Sequence, residues 1–323
     1  MMRFIVYGAG AVGGVIGARL VLAGHDVQLV ARGTHLEAIR SSGLRLQTPE
    51  GAHTVQVPAA SSVADLDVSA DTAVLVTVKS QQTQAVVDDL GRHVPDTTTI
   101  VSVQNGVSNE RSLLRTFGHV LGVTVMLPST HLEPGLVVQN SGPVPGMLDV
   151  GRYPSGTDER CEEFAAAVRS AGFDSIVRPD VMAWKHRKLV ANLGNGVQAS
   201  CAPGDNRDRL QALVRAEGEA VLAAAGILLV SAADDAERRG DLLSPGAIGG
   251  RGGGSTWQSL RRGTGSVETD YLNGEICLLG RLHHHATPAN DLVRRVMHEL
   301  ARTHAAPESR DAADLLAELD RAP

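Results

Sequence analysis

Two sets of residues carry the chemistry this sequence could do. The first is Gly8-Ala9-Gly10-Ala11-Val12-Gly13, a G-x-G-x-x-G pattern between the compact apolar run Phe4–Tyr7 and an amphipathic stretch to about Ala23. Between a strand and a helix this pattern reads as a phosphate cradle. Gly8 permits the tight turn, Gly10 lets a pyrophosphate approach the backbone, and Gly13 lets the helix pack on the strand. The unpaired N–H groups and dipole of the helix N-terminus favour the anion. The second set is a polar stripe in the segment 179–199, where Lys185, Lys188, Asn192 and Asn195 recur at spacings of 3, 4 and 3. That spacing puts them on one face of a helix, with Met182, Leu189, Leu193 and Val197 as the neighbouring apolar stripe. Lysine donates hydrogen bonds and asparagine both donates and accepts. Taken alone, the stripe reads as a solvated face, because most charged helix positions are exposed.

Three further residues stand at strand ends. The expected second strand, Val27–Val30, runs into Ala31-Arg32-Gly33-Thr34. An acidic residue there would suit the ribose 2′-hydroxyl of NAD. Arg32, a planar cation, suits a 2′-phosphate instead, so NADP(H) is the expected cofactor, the alternative being a solvated loop arginine. Ala73–Val78 ends in Lys79-Ser80-Gln81, and Ile100–Val103 ends in Gln104-Asn105-Gly106. Open α/β sheets bind ligands just beyond the carboxyl ends of their strands. Lys79 and Asn105 are therefore candidates to touch cofactor or substrate, against a reading as ordinary loop residues.

The elements that must position these groups follow from pattern. The first half alternates buried strands with helices. Leu44–Thr48 and Thr54–Val57 form a hairpin, and Val120–Leu127, Leu136–Gln139 and Met147–Gly151 are expected as further strands, an antiparallel addition. A helix over Glu159–Ala171 and a short strand near Ser175–Val177 close it. After Pro179 strand patterns end, and helices are expected over 179–199, Leu210–Ala225 (buried), Thr269–Leu282 and Asn290–His304. Gly194 and Gly196 within the first of these mean either fraying or another backbone packed close. The glycine-rich run Arg238–Ser255 reads as a mobile loop, and the stretch to Pro323 as a surface helix or tail. The fold class is thus α/β plus all-α: a Rossmann-type doubly wound sheet over 1–178 and a helical domain over 179–323. A chain of 323 residues suits two domains.

Composition narrows the partners. A net charge of −6 argues against a general nucleic-acid binder, which needs a basic face. The longest other apolar run, Val221–Val230, is too short to cross a bilayer, and the apolar N-terminus is broken by the glycines of the cradle rather than built as a leader. Cys161, Cys201 and Cys277 are odd in number and far apart, without disulfide or metal spacing. That usage fits a reducing compartment, so a cytoplasmic protein is expected. The triplet His283-His284-His285 does not share a helix face and has no carboxylate at metal spacing, so no metal is expected. Glu268 opens a helix and could be only a favourable charge at its N-terminus.

Together these residues resemble the ketopantoate reductase family (2-dehydropantoate 2-reductase) over nearly the whole chain. The resemblance rests on Gly8–Gly13 with Arg32, Val78-Lys79-Ser80, Gln104-Asn105-Gly106, Trp184 with Lys188-Leu189-Val190-Ala191-Asn192, and Glu268–Gly274 followed by Thr287-Pro288-Ala289-Asn290. It implies a Rossmann domain, a helical domain and an active site in the cleft. It further implies Lys188 as general acid with Glu268 as its acidic partner, Asn105, Asn192 and Thr256 on the substrate, and Lys79 and Asn105 on the cofactor side. The implied reaction is NADPH-dependent reduction of ketopantoate to pantoate, in pantothenate biosynthesis. The sequence departs from the family pattern on the substrate side. Gly196 replaces a second asparagine, with Asn195 one place early. Ser255–Ser259 lacks an expected Asp, and His284-His285-Ala286 replaces a Gly-Val-Pro-like turn. A reductase of another bulky 2-keto acid, or a non-catalytic NADP-sensing module, therefore stays open, and a homodimer is neither required nor excluded.

Overall fold

The structure, a computed structural model, describes residues 2–245, 253–263 and 265–321. In chain order its elements begin with β1 (Arg3–Tyr7), α1 (Ala11–Leu22), β2 (Val27–Val30), α2 (Gly33–Ser42), β3 (Leu44–Thr48), β4 (Gly51–Val55), β5 (Ala59–Ala60), β6 (Thr72–Val76), α3 (Thr83–His93) and β7 (Thr99–Ser102). Next come α4 (Asn109–Leu114), β8 (Val120–Met126), β9 (Ser129–Thr130), β10 (Leu136–Gln139), β11 (Ser141–Pro143), β12 (Met147–Arg152) and α5 (Glu159–Ser170). The rest is α6 (Val181–Ser200), α7 (Asp205–Ala224), α8 (Ala232–Arg239), β13 (Leu243–Pro245), α9 (Ser255–Arg261), α10 (Asn273–Leu282), α11 (Pro288–Arg302) and α12 (Ala312–Arg321). The described residues form two compact units, one of 2–185 with 233–245, the other of 186–232 with those from 253 onward.

The first unit is organised by a seven-stranded sheet in the order β5-β2-β1-β6-β7-β8-β12. All its pairings are parallel except β8 with β12. This is the doubly wound order that reverses direction on either side of β1 and β6, the place where such sheets open a ligand crevice. The strands read as unbroken apolar runs because helices cover both faces. Phe4 and Val6 pack into one core with α1 and α5, whose contributors include Ile16, Leu20, Phe164 and Val168. Ile5 and Tyr7 alternate into the opposite core with Val86, Leu90, Leu113 and Phe117. Each such apolar side chain removed from water stabilises the fold by roughly 1.5–3 kcal/mol.

Beside this sheet, β4-β3-β10-β9 forms a second one. The expected hairpin is β3–β4. Of the three strands expected as an antiparallel addition only β12 is one, since β8 continues the parallel sheet beside β7. Leu136–Gln139 is not part of that addition either: β10 pairs parallel with β3 in the second sheet. The segment near Ser175–Val177 makes only isolated bridges to β12. Backbone bonds still join the two, from Leu148 N–H to the Asp174 carbonyl (2.9 Å), Val150 N–H to the Ile176 carbonyl (3.0 Å) and Arg178 N–H to the Val150 carbonyl (2.7 Å). Side chains add to them: Ser175 Oγ donates to the Leu148 carbonyl, and Ile176 N–H donates to Asp149.

One loop and two helical expectations also need correction. The run from Arg238 is not a loop at its start: Arg238 lies in α8 and pairs with Asp149 (2.6 Å) and Asp174 (2.5 Å), and β13 then pairs with β11. This returning segment belongs to the first unit, so the units do not divide cleanly at 178/179. The part of the expected loop at residues 246–252 lies outside the described residues. The helix expected over Thr269–Leu282 is a 3₁₀ turn, Glu268–Tyr271, broken at Leu272 before α10 begins. The helix α7 buries only a stripe (Leu210, Val214, Gly218, Val221, Leu222) rather than its whole circumference.

The second unit, in its described residues, is helical and held by buried amides. Asn290 donates to the Val214 carbonyl and to Glu217, and Asn273 donates to Asn290 and to the Leu193 carbonyl. These bonds tie α6, α7, α10 and α11 together. The helix continues past both α6 glycines, so neither marks fraying, and their neighbours are side chains, not another backbone. Close packing accounts for Gly196, whereas Gly194 faces the end of the exposed Arg215 side chain. A Cβ on Gly196 would stand 2.6 Å from Val293, and one on Gly194 would stand 3.0 Å from Arg215.

Candidate active site

In the first unit the sequence-named residues line one edge of the sheet. Tyr7 is in register with Val30 and with Val76, and Val76 with Ser102, so four strand ends stand level. Gly8 follows Tyr7 directly, Arg32 lies just past Val30, Lys79 past Val76 and Asn105 past Ser102.

The glycine turn has the shape a pyrophosphate needs. Gly8 sits at φ +106°, in the region that favours glycine. A Cβ on Gly13 would stand 2.3 Å from Thr77 Oγ1 and 2.4 Å from the Gly8 carbonyl, so only glycine lets α1 start this close to the strands. At Gly10 a Cβ would meet nothing within 4 Å. The turn is packed shut behind and open in front of the first turn of α1, whose N–H groups have no intrahelical partners. That arrangement fits a dinucleotide.

Side chains hold the turn from behind. Thr77 Oγ1 donates to the Gly8 carbonyl at 2.7 Å. His35 bridges the turn to the second sheet: Gly135 N–H donates to its Nδ1 (2.9 Å), so Nε2 carries the proton and donates to the Ala9 carbonyl (2.7 Å). Burial, chiefly, holds the His35 ring below the ordinary histidine value, and the neighbouring His131 adds to this against the Ala9 bond.

Arg32 is exposed, with its guanidinium 3.5 Å from the Tyr7 hydroxyl. That hydroxyl donates to Asp89 (2.7 Å), and Ser62 donates to the other oxygen (3.0 Å). Burial, then Asp89, pushes the Tyr7 phenol up to about 12. Burial pushes Asp89 up, but the Tyr7 and Ser62 bonds outweigh it and hold the carboxyl below its usual range. Asp89 is thus satisfied inside the unit, and the Arg32 cation stands at the surface.

Lys79 and Asn105, both half-buried, project from two loops joined by a buried polar network. Gln104 donates to the Val78 carbonyl and to Thr83 (both 2.9 Å), and Thr83 donates to Asn109 (2.8 Å). Asn109 in turn donates to the Asn105 carbonyl (2.9 Å) and to Ser80 (3.1 Å). Sequence reasoning missed Thr83 and Asn109; lying a few residues beyond each motif, they carry no local signal of their own.

The stripe on α6 divides. Lys185 is not on a solvated face: it is 2% exposed, with Nζ 2.8 Å from Glu110 Oε1. It donates to the carbonyls of Gln104 (2.8 Å) and Val123 (3.1 Å). Glu110 itself is fully buried, and the contact is an ion pair rather than an aligned hydrogen bond. Removing one partner from such a pair costs about 3–5 kcal/mol, because the other charge stays buried.

The remaining named residues lie in the second unit. Lys188 is half-buried on α6, one turn after Lys185; Asn192 is buried, and Asn195 donates to it at 3.4 Å. Thr256 is buried in the first turn of α9, which Gln198 holds by accepting from Gly254 N–H at 3.2 Å. Glu268, half-buried, begins the 3₁₀ turn five residues before Asn273, which donates to the Leu193 carbonyl. Two members of the motifs are structural. Asp270 binds Arg294 (2.6 Å) and His298 (2.8 Å), and Asn290 is the buried clamp described above. The histidine triplet forms the exit of α10, where His284 takes φ +56° and His285 N–H donates to the Gly280 carbonyl.

A doubly wound sheet with an open glycine turn, followed by a helical unit, defines a Rossmann-type dinucleotide-binding protein. Residues 4–155 match the family described as Ketopantoate reductase PanE/ApbA, and residues 180–301 match its C-terminal counterpart. The 2-dehydropantoate 2-reductase of Pyrococcus horikoshii is 30% identical over 191 residues, 59% of this chain and 61% of that protein. That of Archaeoglobus fulgidus is 30% identical over 295 residues, 87% of this chain and 91% of the relative. The crystal structure of a PanE/ApbA family ketopantoate reductase from Ralstonia eutropha JMP134 superimposes with a TM-score of 0.80 at 27% identity, covering 94% of this chain and 99% of that one. The chain belongs to the ketopantoate reductase PanE/ApbA family of oxidoreductases.

Proposed function

We propose that this protein reduces ketopantoate to pantoate with NADPH, supplying pantothenate biosynthesis in the cytoplasm. The observation that carries the reading is the level row of Gly8, Arg32, Lys79 and Asn105 along the carboxyl edge of the sheet, in a chain whose helical unit keeps Lys188, Asn192 and Glu268. The Gly8–Gly13 turn and the start of α1 hold the pyrophosphate. Arg32 takes the 2′-phosphate, as a planar cation suits a dianionic oxygen cluster. Lys79 and Asn105 line the cofactor side of the reaction. When bound, the reduced nicotinamide supplies a hydride to the keto carbon.

The chain's own residues do the rest. As the carbonyl carbon gains its new C–H bond, negative charge develops on oxygen. The Lys188 ammonium stabilises that charge and gives up a proton to form the hydroxyl. The balance is 2-keto acid plus NADPH plus one proton, giving 2-hydroxy acid plus NADP⁺, with the lysine recharged from solvent. Glu268 favours the charged, proton-bearing form of the lysine. Asn105, Asn192 and Thr256 orient the substrate, since amides and hydroxyls both donate and accept toward a carboxylate, a ketone and a hydroxyl.

NADPH consumption should be followed with ketopantoate and a panel of branched and aromatic 2-keto acids. The expected result is turnover with kcat/KM highest for ketopantoate. A preference for another acid would move the substrate and keep the reductase, and no turnover on any acid would overturn both.

A further inference from the structure

We propose that Lys185 is a positioning residue for Asn105: paired with Glu110, its ammonium fixes the Gln104 carbonyl and with it the backbone from which Asn105 reaches its ligand. The inference rests on the reading of Asn105 as a ligand-contacting residue. An ammonium has three protons to donate. Lys185 donates to two carbonyls, Gln104 at 2.8 Å and Val123 at 3.1 Å, and its Nζ lies 2.8 Å from Glu110 Oε1 as an ion pair. The two peptide planes flanking Asn105 are thereby pinned by different side chains. The plane before it is held by Lys185 through the Gln104 carbonyl, and the plane after it by Asn109, which donates to the Asn105 carbonyl at 2.9 Å. With both planes fixed, neither soft dihedral of Asn105 is free, since φ and ψ are rotations against those planes. The Gln104 side chain, through Val78 and Thr83, extends the same restraint toward the loop that carries Lys79.

Stability alone does not account for a lysine here. A buried ion pair is commonly matched or exceeded in stability by apolar side chains of similar volume. Met or Leu at 185 and 110 would pack the same space without desolvating two charges, but neither could hold the Gln104 carbonyl. A ligand-contacting asparagine must stand close to its productive geometry, and that precision comes from supporting hydrogen bonds of this kind.

The test is the double variant Lys185→Met with Glu110→Met, which removes both charges together. Expected are a Tm within a few degrees of wild type, at least tenfold faster amide exchange at residues 104–107, and kcat/KM for the keto acid about tenfold lower. NADPH affinity, set chiefly by the Gly8–Gly13 turn and Arg32 with Asn105 as one contact among several, should fall by a smaller factor than kcat/KM. Wild-type exchange and wild-type kcat/KM in a folded double variant would overturn the proposal and leave the pair a packing feature. Should the double variant not fold, Lys185→Arg keeps a cation beside Glu110 but cannot place its planar donors on both the Gln104 and Val123 carbonyls. A comparable loss of kcat/KM at unchanged Tm is expected there, and wild-type kinetics would overturn the proposal. If the wild-type protein itself turns over no keto acid, the functional reading fails separately. The exchange at residues 104–107 then still decides whether Lys185 holds the loop.

Discussion

The nucleotide edge of the first unit and the α6 face of the second are built from opposite materials. At the edge the work falls to backbone: a turn open at Gly10, closed at Gly13, and level strand ends in fixed register. On α6 the proposed roles belong to side chains, Lys188 and Asn192, and the helix is held in place by buried amides on α10 and α11. The difference teaches where damage should show. Changes at the edge should alter binding of the dinucleotide, whereas changes on the α6 face should alter the chemical step.

The largest expected effect tests that division outright. Lys188→Ala should lower kcat by about 10²–10⁴-fold, the usual range for a lost general acid, while NADPH affinity measured by fluorescence titration stays within a few fold. An unchanged kcat would remove Lys188 from the proton-donor role and collapse the distinction. At the edge, Arg32→Glu should weaken NADPH by roughly 10- to 100-fold, the equivalent of about 1.5–3 kcal/mol for a charge-assisted bond, and NADH far less. Equal losses for the two cofactors would mean that Arg32 does not read the 2′-phosphate.

A paired substitution sharpens the reading of the turn. Gly10 has φ −75° and open space at its Cβ position, so Gly10→Ala should leave the Tm unchanged while weakening NADPH about tenfold. Gly13→Ala drives a methyl into Thr77 and the Gly8 carbonyl. Overpacking of this kind costs about 1–3 kcal/mol, so its Tm should fall by several degrees. If Gly10→Ala bound NADPH normally, the open side of the turn would not be where the pyrophosphate lies.

The smallest effect concerns the His35 clamp. Its folded value lies below the ordinary 6.5 because burial disfavours the charged ring. A lowered folded value means the clamp's contribution is fully present above pH 6.5 and is lost as pH falls through the folded value. Wild-type Tm should therefore drop more between pH 7.5 and 5.5 than that of His35→Gln. His25, held low in the same way by burial, leaves a residual slope in both proteins. Equal slopes would show that His35 titrates alike in the folded and unfolded chains.

Much of the edge was legible from the residues themselves because its signals are local. A G-x-G-x-x-G behind an apolar run and polar residues just after further apolar runs fix a strand–turn–helix and its neighbours without knowledge of the rest. The α6 stripe was legible as a stripe but not in its parts. Lys185 and Lys188 lie three residues apart, about 60° around the helix axis, and nothing nearby in sequence says that one of them meets Glu110. The same holds for Arg238, read as part of a glycine-rich loop. Its partners Asp149 and Asp174 lie 89 and 64 residues earlier in the chain. Where β10 belongs was hidden for a related reason, since strand partners depend on pairings that an alternating pattern does not specify. The motif residues Asp270 and Asn290 illustrate the converse, being family signatures that turn out to hold helices together.

The central claim is that the chain carries a reduced nicotinamide to a 2-keto acid and transfers hydride to its carbonyl carbon. Its most direct test is incubation with ketopantoate and NADPH dideuterated at C4 of the nicotinamide, followed by mass spectrometry and NMR of the product. The account predicts pantoate carrying one deuterium at C2 and formed in step with NADPH consumed. No pantoate, or pantoate without the label, would contradict it.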